Sequence, residues 1–144
     1  MNSMVNQVKS VPALLREVHP ALEELSRTVL HPELILSLKR IFITGCGDSH
    51  HATINTELAF ETLTGLPCET QQALQFARYS AGFLPQTGPN TNLVIGISVS
   101  GAVARTYEGM QLAKAAGATT LALSATPGSR VALGMDLRPS SPRI

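Results

Sequence analysis

Two short stretches hold the residue types that could do chemistry. Ser98-Val99-Ser100-Gly101 sets two hydroxyls two residues apart ahead of a glycine. Gly45-Cys46-Gly47-Asp48-Ser49 gathers glycines, a thiol, a carboxylate and a hydroxyl. Each stretch follows an apolar run and precedes a helical pattern. A helix starting there offers unpaired backbone N–H groups and the positive end of its dipole, so hydroxyls and glycines at that point make an anion site. A phosphate would gain charge-assisted bonds worth roughly 1.5–3 kcal/mol each. Turns of this composition also serve as plain helix caps. Neither turn continues into G-K-[ST], so hydrolysis of a nucleoside triphosphate is not indicated.

Other reactive side chains assemble less well. Asp48-Ser49-His50-His51 has the residue types of a hydrolytic triad, but consecutive residues at a helix start point in different directions. His50 and His51 have no third ligand at a suitable spacing, so no metal site and no cofactor are expected. His50 is expected at the edge of the pocket and His51 on a helix surface or interface. Glu57 and Glu61, four apart, read as a solvated or interface face, and Glu69 falls near the end of a second strand. None reads as a general base, so the catalytic residues are unknown. Cys46 and Cys68 have neither metal nor C-x-x-C spacing and read as reduced, semi-buried thiols of a cytoplasmic protein.

The elements that must position the two turns alternate in kind. Residues 5 to 38 read as helical, with Leu14, Leu15, Val18, Leu22, Leu25 and Val29 on one apolar stripe. Pro12 suits a first turn, while Pro20 and Pro32 break or kink the pattern, giving two or three short helices wrapped against the body. A stripe this long could also meet a second copy of the chain. Strand Arg40–Thr44, a helix from about His50 to Thr64 closed by Gly65, strand Leu66–Thr70 and a short helix Gln72–Tyr79 come next. A turn-rich loop, Ala81–Asn90, leads to an apolar run at Leu93–Ile97 that does not alternate, as in a strand buried on both faces. Then follow a helix from about Val103 to Ala116, strand Thr119–Ser124, a turn at residues 125–129, a helical piece Arg130–Gly134 and the start of a last strand at Met135–Leu137. The tail Arg138–Ile144 reads as unstructured.

Strand–helix alternation implies a parallel sheet with right-handed crossovers. His50 stands where the third glycine of a dinucleotide fingerprint would be, and that reading is disfavoured. A flavodoxin-like order, 2-1-3-4-5, suits five short strands. It puts strands 1 and 3 side by side, so the crevice between their carboxyl ends falls between the two Gly/Ser turns. The 144 residues suit one domain, and the net charge of +1 offers no basic field for nucleic acid. No apolar stretch approaches the ~20 residues of a membrane span, and no signal-peptide pattern is present.

From about Ile41 to Leu137 the chain resembles the sugar isomerase (SIS) domain family. The resemblance rests on I-T-G-C-G-D-S at Ile43–Ser49, G-L-P-C at Gly65–Cys68, Q-F-A-R-Y at Gln75–Tyr79, I-S-V-S-G at Ile97–Gly101, A-K-A-A-G-A at Ala113–Ala118 and P-G-S at Pro127–Ser129. It implies a five-stranded parallel sheet, a homodimer and a phosphosugar ligand such as fructose 6-phosphate or glucosamine 6-phosphate. Ser49, Ser98 and Ser100 would then carry the phosphate and Asp48 would sit against the sugar. Val99 stands where the family often has Gln, and Val103 where it has Thr, so two polar contacts are absent. Arg105 could compensate by folding back.

The sequence therefore predicts a flavodoxin-like three-layer α/β sandwich, with a helical arm at residues 1–39 and one SIS-type domain at 40–144, the first half of a tandem pair. The ligand site comprises Gly47, Asp48, Ser49, Ser98, Val99, Ser100, Gly101 and Val103. Its function is phosphosugar binding within an isomerase or an aminosugar-phosphate isomerase or deaminase. The alternatives are a phosphosugar sensor without turnover and a dimerisation domain with a vestigial pocket.

Overall fold

The two apolar runs become neighbouring interior strands. β1 (Arg40–Gly45) and β3 (Asn92–Ile97) pair in parallel, with Gly45 opposite Ile97. Both are buried over most of their length, as strands covered on two faces must be. β2 (Cys68–Gln72) flanks β1 and β4 (Thr119–Leu123) flanks β3, giving the parallel order β2-β1-β3-β4. The computed structural model describes residues 3–85, 88 and 90–137. The expected unstructured tail and three positions of the expected loop at 81–90 lie outside the described residues.

The expected five strands are corrected to four. Beside β4, Leu137 makes a single parallel bridge to Leu121. Its N–H donates to Thr120 O (2.9 Å) and its carbonyl accepts from Ala122 N (3.0 Å). One step earlier a side chain replaces the ladder, because Thr120 N donates to the Asp136 carboxylate (3.0 Å). Among the described residues, pairing beside β4 is therefore confined to Leu137.

Side chains alternate across the sheet. On one face Phe42, Val94 and Ala122 pack with residues of three helical segments. These are Phe76 of the segment after β2, Met110 of α5 (Ala104–Ala115) and Val131 of α6 (Arg130–Leu133). That segment opens as α4 (Ala73–Gln75) and widens into π turns over Phe76–Ser80. On the other face Ile41, Ile43, Ile95 and Leu121 pack with Phe60 of α3 (Asp48–Thr64), Leu34 of α2 (Pro32–Ser37) and Leu38. Gly96 lets α5 approach β3, since a Cβ there would lie 2.7 Å from Met110 Sδ.

Edge strand β2 is guarded by α3. Glu61 accepts from Cys68 N (3.2 Å), and Glu57 accepts from both Thr70 N (2.9 Å) and Thr70 Oγ1 (2.6 Å). The solvated or interface face expected of these glutamates is corrected accordingly: they occupy donors of the sheet's edge.

The arm also differs from expectation. α1 is one helix, Ser3–Val29, running through Pro12 and Pro20, so it is not broken; none of its residues is fully buried, and it meets the core at its end, where Val29 packs. Only Pro32 opens a new helix, α2, where His31 Nδ1 accepts from Leu34 N (3.3 Å). An internal proline costs a helix about 3 kcal/mol. Burial against the sheet does not offset that in α1.

Candidate functional site

The carboxyl ends of β1 and β3 open into a cleft of about 300 Å³. Cys46, Asp48 and Ser49 line it from the turn after β1. Ile97, Ser98, Val99, Ser100 and Val103 line it from the turn after β3. Adjacent pairing of the two strands forces this meeting, since each chain must leave the sheet at the same level. Of the expected site residues, Gly47 and Gly101 are not in the wall. Gly47 supplies the φ of +56° from which α3 starts, and Gly101 is buried behind the second turn.

The serines do different work. Ser98 is only 2% exposed, and its Oγ accepts from Gly101 N (3.1 Å), so it closes the turn and floors the cleft. Ser100 is exposed, with Oγ accepting from Ala102 N at 3.3 Å. Ser49 is half-buried on the opposite wall. Val99 stands 69% exposed at the cleft, where a polar side chain would meet solvent or ligand.

A third turn supports the second, and sequence reasoning gave it no role. The Val99 carbonyl accepts from Ala125 N (3.2 Å) and Thr126 Oγ1 (3.4 Å), and the Gly101 carbonyl from Val131 N (3.1 Å). A Cβ on Gly101 would fall 1.8 Å from Ser129 Oγ and 2.2 Å from Ser129 Cβ, at a φ of +63°. Only glycine fits there. The P-G-S motif was the available signal, but its partner lies 28 residues away, Gly101 to Ser129.

The helix starts separate the cleft from the rest of the molecule. α2, α4 and α6 begin under side-chain caps from His31, Gln72 and Ser129. α3 and α5, which start at the cleft behind Gly47 and Val103, have no side-chain cap. Their first-turn N–H groups and dipoles are left to a ligand or water. Asp48, exposed in the first turn of α3, is favourably placed on that dipole and brings a carboxylate to the rim.

Several neighbours are already committed. Arg105 pairs with Glu108, which also meets Arg78 at 3.1 Å, so the expected fold-back of Arg105 is corrected. The hydrogen bond from Arg105 lowers the Glu108 carboxyl from its ordinary value; desolvation opposes it, and the charges of Arg78 and Arg105 add to the lowering. His50 is absent from the cleft wall, its Nδ1 buried without a hydrogen-bond partner, and His51 is exposed. Cys46 lines the cleft and accepts from Gln72 Nε2 (3.9 Å). Cys68 is buried, and desolvation, with the charges of Glu57, Glu61 and Glu69, pushes its thiol up to about 11. Both cysteines are free.

A larger hollow of about 580 Å³ lies at the opposite end of the strands, beside His31, Ser37, Asn90 and Lys114. Lys114 is paired with Asp136 at 2.6 Å, and the start of α2 is capped. That hollow offers an anion fewer free donors than the smaller cleft, so the chemistry points to the smaller one.

A parallel α/β sheet with an anion-ready cleft between its two interior strands defines a class of small-molecule-binding domain. Within that class the chain belongs to the SIS domain family, whose model matches residues 34–138. Glutamine–fructose-6-phosphate aminotransferase [isomerizing] of Gloeobacter violaceus is 37% identical over 103 residues, covering 72% of this chain and 16% of that protein. The Escherichia coli K12 enzyme of the same name is 33% identical over 106 residues, 73% of this chain and 17% of the relative. The chain thus spans about a sixth of these relatives.

Two solved structures share the fold. The C-terminal domain of glucosamine-fructose-6-phosphate aminotransferase from Francisella tularensis superposes with a TM-score of 0.63 and 23% identity, over 74% of this chain and 29% of that one. Tagatose-6-phosphate ketose/aldose isomerase from Escherichia coli gives 0.65 and 17%, over 91% and 36%. No helix among the described residues is long and apolar enough to cross a membrane.

Proposed function

We propose that the chain is a cytoplasmic phosphosugar-binding domain, one half of a phosphosugar isomerase or of an aminosugar-phosphate isomerase or deaminase, acting as a homodimer. One observation carries this reading: the two long helices without side-chain caps start at the same cleft, with Ser49 and Ser100 on facing walls. A phosphate dianion takes N–H donors from both helix starts and hydroxyl donors from both walls, while Asp48 faces the sugar hydroxyls from the rim. The names of the relatives, which concern fructose 6-phosphate and tagatose 6-phosphate, support the ligand class.

Aldose–ketose interconversion moves a proton between adjacent carbons and needs a positioned base. Asp48 is the carboxylate of the cleft wall, and it sits exposed at the rim, so this half binds and orients the phosphosugar while a second domain supplies the base.

Titration calorimetry with fructose 6-phosphate, glucosamine 6-phosphate and unphosphorylated fructose tests the reading. Binding of the phosphosugars and not of fructose is the expected result. The double variant Ser49→Ala/Ser100→Ala should weaken binding about tenfold or more. It spares Ser98, whose loss would disturb the turn itself. Unchanged affinity in the double variant overturns the site.

A further inference from the structure

We propose that α1 pairs antiparallel with α1 of a second copy of this chain. This deepens the homodimer of the proposed function and does not rest on its ligand. Val8, Val11, Leu15, Val18, Leu22 and Leu25 alternate at steps of three and four without a break, the spacing of a two-helix seam. Most of the seam is uncovered: Val8 is 66%, Leu15 59% and Leu22 51% exposed, Val18 and Leu25 are half-buried, and no residue of α1 is fully buried. Isolated helices draw most of their stability from packing such a face, and two internal prolines deepen that need in α1.

The pattern is complementary to itself in one orientation. With a two-fold axis between Arg16 and Glu17, Val8 meets the partner's Leu25, Val11 the partner's Leu22 and Leu15 the partner's Val18. Every layer then combines one Val with one Leu, so the volumes are even along the seam. A parallel pair would stack Val on Val and Leu on Leu. The charges of α1 leave the seam free: Lys9, Arg16, Glu17, Glu23, Glu24 and Arg27 all fall on the outer positions of the heptad that this stripe sets, so apolar packing alone decides the pairing. A helix about 40 Å long and about 10 Å wide buries on the order of 1,200 Å² in such a pair, the lower edge of a specific interface.

Sedimentation velocity of the full chain up to about 100 µM should show a dimer that dissociates on dilution. Leu15→Glu, placed beside the two-fold axis, should raise the dissociation constant at least ~100-fold without changing phosphosugar affinity. In a Cys46→Ser background, Val8→Cys mixed with Leu25→Cys should cross-link faster than Val8→Cys with itself. A monomer at the highest concentration, a dimer indifferent to Leu15→Glu, or preferential Val8→Cys self-linkage would each overturn the proposal. A dimer that forms as described but fails to bind phosphosugars would count against the ligand reading alone.

Discussion

Gly101 shows how one residue decides the shape of the cleft. Its φ of +63° and the Ser129 side chain pressed against its α-carbon leave no room for a methyl group. Gly101→Ala should destabilise the chain by about 2–4 kcal/mol, because backbone strain adds to a steric conflict. Urea denaturation measures this, and a loss below about 1 kcal/mol would mean that the third turn gives way easily. The two thiols make a separate case. Cys46 lines an open cleft, whereas Cys68 is buried with its thiol pushed up to about 11. At pH 8 a thiol reagent should label Cys46 quickly and Cys68 only on unfolding, since the thiolate is the reactive form. Rapid modification of both in the folded chain would contradict the burial assigned to Cys68. At this scale the sequence was informative where chemistry is local: Ser49, Ser100 and Asp48 stand at the cleft as their turn positions suggested. It was uninformative where a partner comes from afar. Ser98 reads as a ligand hydroxyl until its bond to Gly101 is seen, and Arg105 reads as free until Glu108 is seen to hold it.

Elements were legible in proportion to how much their own residues determine them. β3 is an apolar run and α5 follows at once, so both fall where the pattern puts them. The sheet's edges depend on side chains from other elements, and there the sequence misled. Glu57 and Glu61 look like a solvated helical pair, yet they hold the outer donors of β2. Glu57→Leu should cost about 1–3 kcal/mol, the penalty for a half-buried N–H and a hydroxyl losing their acceptor. It should also raise light scattering at high concentration by baring an edge strand. Equal stability and equal scattering would mean that water replaces the carboxylate without loss. At the other edge, burial raises the Asp136 carboxyl, but hydrogen bonds from Lys114 and Thr120 outweigh it and hold the group below its ordinary range. A carboxyl so lowered stabilises the fold above the ordinary carboxylate range, and that contribution is lost as pH falls through it. Partial exposure screens the effect to about 0.5–1 kcal/mol. Asp136→Asn should therefore lower stability at pH 7 and narrow its difference from the parent near pH 3. A difference independent of pH would assign the loss to packing.

Across the whole molecule, stability and assembly fall to different parts of the chain. The two cores draw on the sheet, α2 to α6 and the last turn of α1, where Val29, and Leu30 just beyond the helix, pack beside Leu34 and Leu38. The rest of α1 has no fully buried residue in the single chain. Folding of the body and formation of the cleft should therefore survive removal of residues 1–24, which keeps that last turn. At protein concentrations below the dimer's dissociation constant, the shortened chain should unfold at the same urea midpoint as the parent. Its phosphosugar affinity should also be unchanged. At higher concentrations the two should diverge, because mass action on a dimer stabilises only the chain that still carries the seam. The concentration dependence of the parent's midpoint, set beside a constant midpoint in the shortened chain, measures that divergence. If the shortened chain instead unfolds early at every concentration, α1 supports the body directly, and the separation between folding unit and pairing unit fails.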